Sequence, residues 1–173
     1  MPSFTIRPAT HEDAQRLAHI GAATFIESYS EQIDGAAMID HCTHQHSKSV
    51  YEHYLNAPKA KCWLAEHEKT GAPIGYAVNC APDLPVSLKP HDVELKRIYV
   101  LSKYHGQGAA AALLSASEIH AIAQNASRLL LGTYEKNYRA MAFYTKHGFK
   151  PIGTRKFHVG GQTYDDIVMA KTL

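Results

Sequence analysis

The stretch Glu94-Leu-Lys-Arg-Ile-Tyr-Val-Leu-Ser-Lys-Tyr-His-Gly-Gln-Gly-Ala-Ala-Ala-Ala-Leu-Leu114 changes character halfway along. Its first part, Glu94 to Leu101, is rich in β-branched and aromatic residues and reads as a strand. From about Gly108 to Gln124, Ala112, Leu113, Ala116, Ile119 and Ala123 keep the spacing of an amphipathic helix. Between the two lies a glycine turn. At such a junction the first helical N–H groups have no intrahelical partner and point outward at the positive end of the helix dipole. Small residues let a phosphate or pyrophosphate approach that backbone closely. His105, Gly106, Gln107, Gly108, Ala109, Ala110 and Ala111 therefore form a candidate anion cradle. The glycines alone are equally consistent with a tight turn that binds nothing. The segment is not a Walker loop, because no Gly-Lys-Ser/Thr follows, and it lacks the third glycine of a dinucleotide fingerprint.

Working outward, Lys61–Glu66 and Ile74–Cys80 read as a hairpin around the turn Lys69-Thr-Gly-Ala-Pro73. Upstream, Phe4–Arg7 is a strand. Thr10 and Asp13 resemble a capping box for a helix through Leu17, Ile20, Ala23 and Phe25. The polar, His-rich stretch from Glu31 to Asn56 is expected to hold one or two further helices. Downstream, Arg128–Tyr134 is a short strand and Asn137–His147 a helix stopped by Gly148. Phe149–His158 and Thr163–Lys171 close the chain as a hairpin around Gly160-Gly161. This order predicts an α+β fold: a mixed, mostly antiparallel twisted sheet with flanking helices and one parallel crossover. With no repeat or Gly/Ser linker, residues 1–173 are expected to form a single domain.

The glycine-turn segment resembles the acetyl-CoA-binding motif of the GNAT N-acetyltransferases, whose form is Gln/Arg-x-x-Gly-x-Gly/Ala. Here it reads His105-x-x-Gly108-x-Ala110, with His105 as the departure. A second segment, Asn137-Tyr-Arg-Ala-Met-Ala-Phe-Tyr-Thr-Lys-His-Gly-Phe149, is similar to the family pattern Asn-x-x-Ala-x-x-Phe-Tyr-x-x-x-Gly-Phe. Together the motifs and their flanking strands cover most of the chain; residues 1–56 match only in the order of their elements.

The resemblance implies transfer of the acetyl group of acetyl-CoA to a primary amine by direct attack in a ternary complex, without a metal. Ile98, Tyr99 and Val100 would offer backbone groups to the pantetheine, and the Val100 N–H would steady the thioester oxygen. Asn137 and Tyr144 lie two helical turns apart on one face, with Ala140 between them leaving room for a narrow chain. Tyr144 would protonate the departing thiolate. Asn137 is equally suited to a plain N-cap, and Tyr144 to a core aromatic.

A lysine-like amine is mostly protonated at neutral pH, so a base is required. Strict alternation puts Glu94 on the face of Ile98, looking toward the acceptor, and makes it the leading candidate. Glu27 and Tyr29, near the end of the first helix, are candidate acceptor contacts, with Asp34 nearby. The layout is most similar to the polyamine and uncharacterised amine acetyltransferase branch. Two other functions fit the same motifs: a non-catalytic acetyl-CoA-binding regulatory module, against which Tyr144 argues, and a protein or peptide N-acetyltransferase.

Composition narrows the field without choosing within it. The net charge of +2 and the scattered Lys150, Arg155, Lys156 and Lys171 do not make a nucleic-acid surface. No apolar run approaches the ~20 residues that span a bilayer, and Met1 to Arg7 has no charged and apolar leader pattern. Cys42, Cys62 and Cys80 are odd in number and lack a C-x-x-C, so a reducing, cytoplasmic setting is expected. Asp40, His41, Cys42, His44 and His46 could suggest a metal but are read as a solvated helix face. Relatives are often dimers, and the closing hairpin is a candidate surface for two-fold pairing.

Overall fold

The computed structural model describes residues 3–173; Met1 and Pro2, the first two residues of the Met1–Arg7 segment, lie outside them. The strands are β1 (Phe4–Pro8), β2 (Lys61–His67), β3 (Pro73–Cys80), β4 (Val93–Val100), β5 (Arg128–Tyr134), β6 (Lys150–Val159) and β7 (Gln162–Thr172). They form one seven-stranded sheet in the order β1-β2-β3-β4-β5-β7-β6. Every neighbouring pair is antiparallel except β4 with β5. The helices are α1 (Ala14–Tyr29), α2 (Gly35–Gln45), α3 (Lys48–Asn56), α4 (Ala109–Ala123) and α5 (Tyr138–Lys146). The mixed, mostly antiparallel sheet expected from the element order is what forms. Among the described residues no helix is long and apolar enough to cross a membrane.

Helices on both faces explain the near-continuous apolar runs of β2 and β3. Cys62, Leu64, Tyr76 and Val78 pack with Leu17, Ile20 and Tyr51 from α1 and α3. Their neighbours Trp63, Ala65 and Ala77 pack with Leu113 and Leu114 of α4. The His-rich stretch becomes two helices because Asp34 and Ser47 each accept backbone N–H bonds at a helix start. Thr10 and Asp13 do join, with the Thr10 N–H donating to the Asp13 carboxylate (2.8 Å). They open a short 3-10 turn that runs into α1.

The expected face of α4 is corrected. Ile119 is 66% exposed, whereas Ala109, Leu113, Leu114, Ser117 and Ala121 are buried. Ser117 fixes the rotation: its hydroxyl donates to the Asn79 amide oxygen (2.5 Å), and the Asn79 amide donates back to the Ser117 carbonyl (3.0 Å).

The feature that shapes the site is the brevity of the parallel pairing. β4 and β5 are in register only at Val93–Leu129 and Glu94–Leu130; beyond those pairs the strands part. Just below the pairing, Arg128 grips Asp92 through two bonds (Nε–Oδ1 3.0 Å, Nη2–Oδ2 2.5 Å) with the carboxylate fully shielded from solvent. A second irregularity lies in β4 itself. Val78 pairs with Arg97 but Asn79 with Leu95, so Lys96 is an extra residue and β4 bulges there. Leu95 and Ile98 consequently share the α4 face, while Arg97 and Tyr99 share the α1–α3 face.

The Arg128–Asp92 grip can be tested by Arg128→Ala, which leaves a buried carboxylate without its cation. The expected loss is about 3–5 kcal/mol in urea unfolding at neutral pH. Burial alone would raise the Asp92 pKa, but the bonds from Arg128 and the Lys89 N–H outweigh it and hold the carboxyl below its ordinary value. A group depressed in the folded state stabilises above its unfolded pKa, about 3.9, and that stability is lost as pH falls through the folded value. The gap between wild type and variant should therefore narrow below pH ~4.

Candidate active site

A cavity of about 780 Å³ occupies the gap between the parted strands and is lined from both faces of the sheet. Its lining includes Ile98, Tyr99 and Val100 of β4, the turn residues His105, Gly106, Gly108, Ala109, Ala110 and Ala111, and Asn137 and Tyr144 of the following motif. Tyr29 also faces it. Of the remaining candidate residues, Gln107, Glu94 and Glu27 are not part of its wall.

The turn has the geometry that exposes backbone nitrogen. Gly106 (φ 75°) and Gly108 (φ 92°) are left-handed, a conformation side chains resist. α4 begins at Ala109, and the Ala112 N–H closes on the Gly108 carbonyl (3.0 Å), so the amides of Ala109, Ala110 and Ala111 precede the helical ladder. Gln107 turns away and donates to the Lys103 carbonyl (3.0 Å). His105 braces the turn. Its Nε2–H donates to the Val100 carbonyl (2.6 Å), which can only accept, leaving Nδ1 to accept from Arg139. The departure at His105 thus brings a cation, Arg139, to the mouth of the site.

The edge of β4 facing the gap carries free backbone groups. The Leu101 N–H donates to the Ile74 carbonyl (2.8 Å), and Val100 and Ile98 pair with Gly75 and Ala77. In an antiparallel ladder hydrogen-bonded and non-hydrogen-bonded pairs alternate. Ile98 and Val100 therefore occupy non-bonded positions, with N–H and C=O directed away from β3 into the gap. The Val100 carbonyl is taken by His105; its N–H is not.

On the α4 side of the gap, Tyr144 is 8% exposed and packs edge-on between Phe143 and Phe149. Burial, then the nearby Tyr99, pushes its pKa well above the usual phenol value, with no hydrogen bond contributing. At neutral pH it is a proton carrier with an uncommitted hydroxyl. Asn137 caps α5, its side chain accepting from the Ala140 N–H (3.1 Å), while still lining the cavity. On the other side, Tyr99 meets Tyr29 hydroxyl to hydroxyl (3.4 Å).

Two of the candidate acidic residues are corrected. The bulge at Lys96 turns Glu94 onto the face opposite Ile98. It is 1% exposed, beneath the loop before β4, where it accepts the Asp83 N–H (2.8 Å) and faces Lys96 (3.4 Å). Glu27 accepts from the Ser102 N–H (2.9 Å) and hydroxyl (2.8 Å), tying α1 to the turn after β4 rather than entering the cavity. Asp34 is the cap of α2. The His-rich helix is also not uniformly solvated: His41 and His46 turn inward to line the cavity, against Phe25. Among the described residues no three His, Cys, Asp or Glu side chains converge as a metal would need.

Several wall residues were not singled out from the sequence. Arg155 pairs with Asp166 (2.6 Å) over β5, where a Cβ on Gly132 would lie 2.7 Å from the guanidinium. Arg97 reaches Tyr51 (Nη1 to hydroxyl, 2.8 Å) beneath the cavity. Arg139 stood unremarked inside the second motif. A strand alternating in chemistry across a bulge hides which residues share a face, so Arg97 carried no readable signal.

Comparison with known proteins places this geometry. The pattern of the Acetyltransferase (GNAT) family matches residues 24–149. An uncharacterised N-acetyltransferase of Mycobacterium tuberculosis is 35% identical over 161 residues, 93% of this chain and 98% of the relative. An equally similar uncharacterised N-acetyltransferase comes from Mycobacterium bovis. Among solved structures, PaiA N-acetyltransferase from Thermoplasma acidophilum in complex with coenzyme A superposes with a TM-score of 0.81 at 19% identity, covering 99% of both chains. Arabidopsis thaliana NAA60 in complex with a bisubstrate analogue superposes at 0.75 and 15% identity, covering 98% of this chain and 99% of that one. These last two likenesses speak to the fold.

Because the Glu94 carboxylate is already bonded and lies outside the cavity, Glu94→Gln should act on stability. The expected loss is about 1–2 kcal/mol in denaturant unfolding, with kcat and its pH profile unchanged. A shifted pH profile at intact stability would restore Glu94 as the base.

Proposed function

The chain belongs to the GNAT acetyltransferase family and is an acetyl-CoA-dependent N-acetyltransferase, and on that premise we propose that it acetylates a primary amine by direct attack within a ternary complex, with Tyr144 as the general acid. The observation that carries this reading is the continuity of one cavity from the open amides of the glycine turn, past the free Val100 N–H, to the uncommitted phenol of Tyr144.

In this reading the amides of Ala109, Ala110 and Ala111 hold the pyrophosphate of acetyl-CoA at the helix N-terminus, with Arg139 adding charge. Ile98 and Val100 pair with the pantetheine as a short extra strand. The amine nitrogen attacks the thioester carbonyl carbon, and the Val100 N–H donates to the oxygen as it gains negative charge. The C–S bond then breaks; the Tyr144 hydroxyl gives its proton to the sulfur and regains one from solvent. The nitrogen loses its extra proton to solvent or to His41, which burial and the charge of Arg97 hold below the ordinary histidine value and therefore neutral at pH 7.

Direct attack is favoured over an acetyl-cysteine intermediate. None of the three cysteines lines the cavity. Burial pushes the thiols of Cys62 and Cys80 up to about 12, far from the thiolate that nucleophilic catalysis needs.

Tyr144→Phe tests the acid directly. The packing is kept and the proton is lost, so kcat should fall about 100-fold or more while the KM for acetyl-CoA changes little. An unchanged kcat in a folded variant would remove Tyr144 from the mechanism. Gly108→Ala strains a left-handed residue at the cradle and should weaken coenzyme A binding about 5- to 50-fold by calorimetry, without altering the pH profile of turnover.

A further inference from the structure

Resting on the acetyl-transfer reading above, we propose that the acceptor is an amine that also carries a carboxylate, an amino acid or a molecule of that chemistry, and that Arg97 binds the carboxylate.

Arg97 is a half-buried guanidinium on the cavity wall, and among the described residues it has no carboxylate partner. One nitrogen donates to the Tyr51 hydroxyl (2.8 Å) and lies 3.4 Å from His46 Nδ1. The group sits over the Tyr51 and Tyr54 rings at 5.2 and 5.5 Å. Those contacts fix its plane and leave Nε and Nη2 without a protein acceptor. A guanidinium presents its donors as a fork that fits a carboxylate. Leaving such a charge out of water and unmatched is costly, and an incoming anion relieves the cost.

Two neighbouring cations of the acceptor side are already matched. Arg155 holds Asp166 (2.6 Å) and Lys96 faces Glu94 (3.4 Å). His41 and His46 bring no negative charge, and Asp83 is exposed at the lip without an ion pair to Arg97. The acidic residues that a polycation would need, Glu27 and Asp34, are committed to Ser102 and to the cap of α2. A polyamine reaching Arg97 would bring cation to cation, with only the exposed Asp83 at the lip to offset it.

Position agrees with charge. Arg97 and Tyr99 project from the same face of β4, about 7 Å apart at their Cα atoms. Tyr99 stands with Tyr29 and beside Tyr144, where the thioester is expected. A carboxylate on Arg97 would therefore direct an amine a few bonds away toward the reacting carbonyl.

The test is steady-state kinetics at saturating acetyl-CoA with matched acceptors: phenylalanine and methionine against their amides, and γ-aminobutyrate against putrescine. Wild type should favour the acid of each pair by about 10-fold or more in kcat/KM, the range of one charge-assisted contact. Arg97→Gln should raise KM for the acids about 10- to 100-fold and abolish the preference for acid over amide, with Arg97→Lys intermediate; any effect through His41 falls on acid and amide alike and cancels in that ratio. Coenzyme A titration and a thermal melt establish that each variant is folded. Should Arg97→Gln fail to fold, the wild-type comparison of acid with amide decides alone. Equal rates for acid and amide, or preference for putrescine, would overturn this inference while acetyl transfer stands. Absence of turnover with every amine would overturn both.

Discussion

The parting of β4 from β5 is the constraint on which everything else here depends. A parallel pair extending the length of both strands would consume the N–H and C=O groups of Ile98 and Val100 in a ladder. Pairing instead ends after Glu94 and Leu130, held at its base by Arg128 and Asp92. The unused backbone edge, the cavity in the gap and the passage from one face of the sheet to the other are one structural fact. The glycine turn and α4 follow directly from the free end of β4, so the open amides necessarily stand beside the open edge.

The division of labour between the faces follows. Tyr144, Phe149 and the α4 contacts belong to the interior on one side of the sheet; Tyr29, Tyr99 and the inward imidazoles belong to the other. Phenols from both sides approach one another only because the strands between them have separated. Arg97 is part of the same economy of space: burial, reinforced by the charge of Arg97, pulls the His46 pKa down to about 3 and keeps it uncharged, which sets the polarity of the acceptor side.

Much of this was legible beforehand. The glycine turn, the Asn137–Tyr144 spacing and the closing hairpin are local signals, carried by residues whose backbone preference or helical period does not depend on distant contacts. What escaped reading depended on such contacts. Counting in twos along β4 puts Glu94 on the wrong face, because the extra residue at Lys96 exists only with β3 as its partner. Ile119 kept helical spacing, yet the Ser117–Asn79 bond set the rotation of α4. Histidines in a polar run suggest solvent; that His41 and His46 pack on Phe25 while His44 pairs outward with Asp40 (3.3 Å) is decided by where α2 docks. The hairpin register likewise sets Asp165 opposite Lys156 and Asp166 opposite Arg155, pairings that depend on the partner strand and not on local sequence.

The bulge in β4 makes that strand a coupling between two independently phased halves. Upstream of Lys96 the alternation is set by what the core and the preceding loop will accept; downstream it is set by what the cleft requires. Lineages that lose a single codon at this point would invert Val93, Glu94 and Leu95 with respect to the sheet, thrusting a carboxylate under α4 and two aliphatic side chains toward the loop. Insertions and deletions there should be purged far more strictly than exchanges of residue type, since they corrupt the frame in which every other side chain of the strand is read.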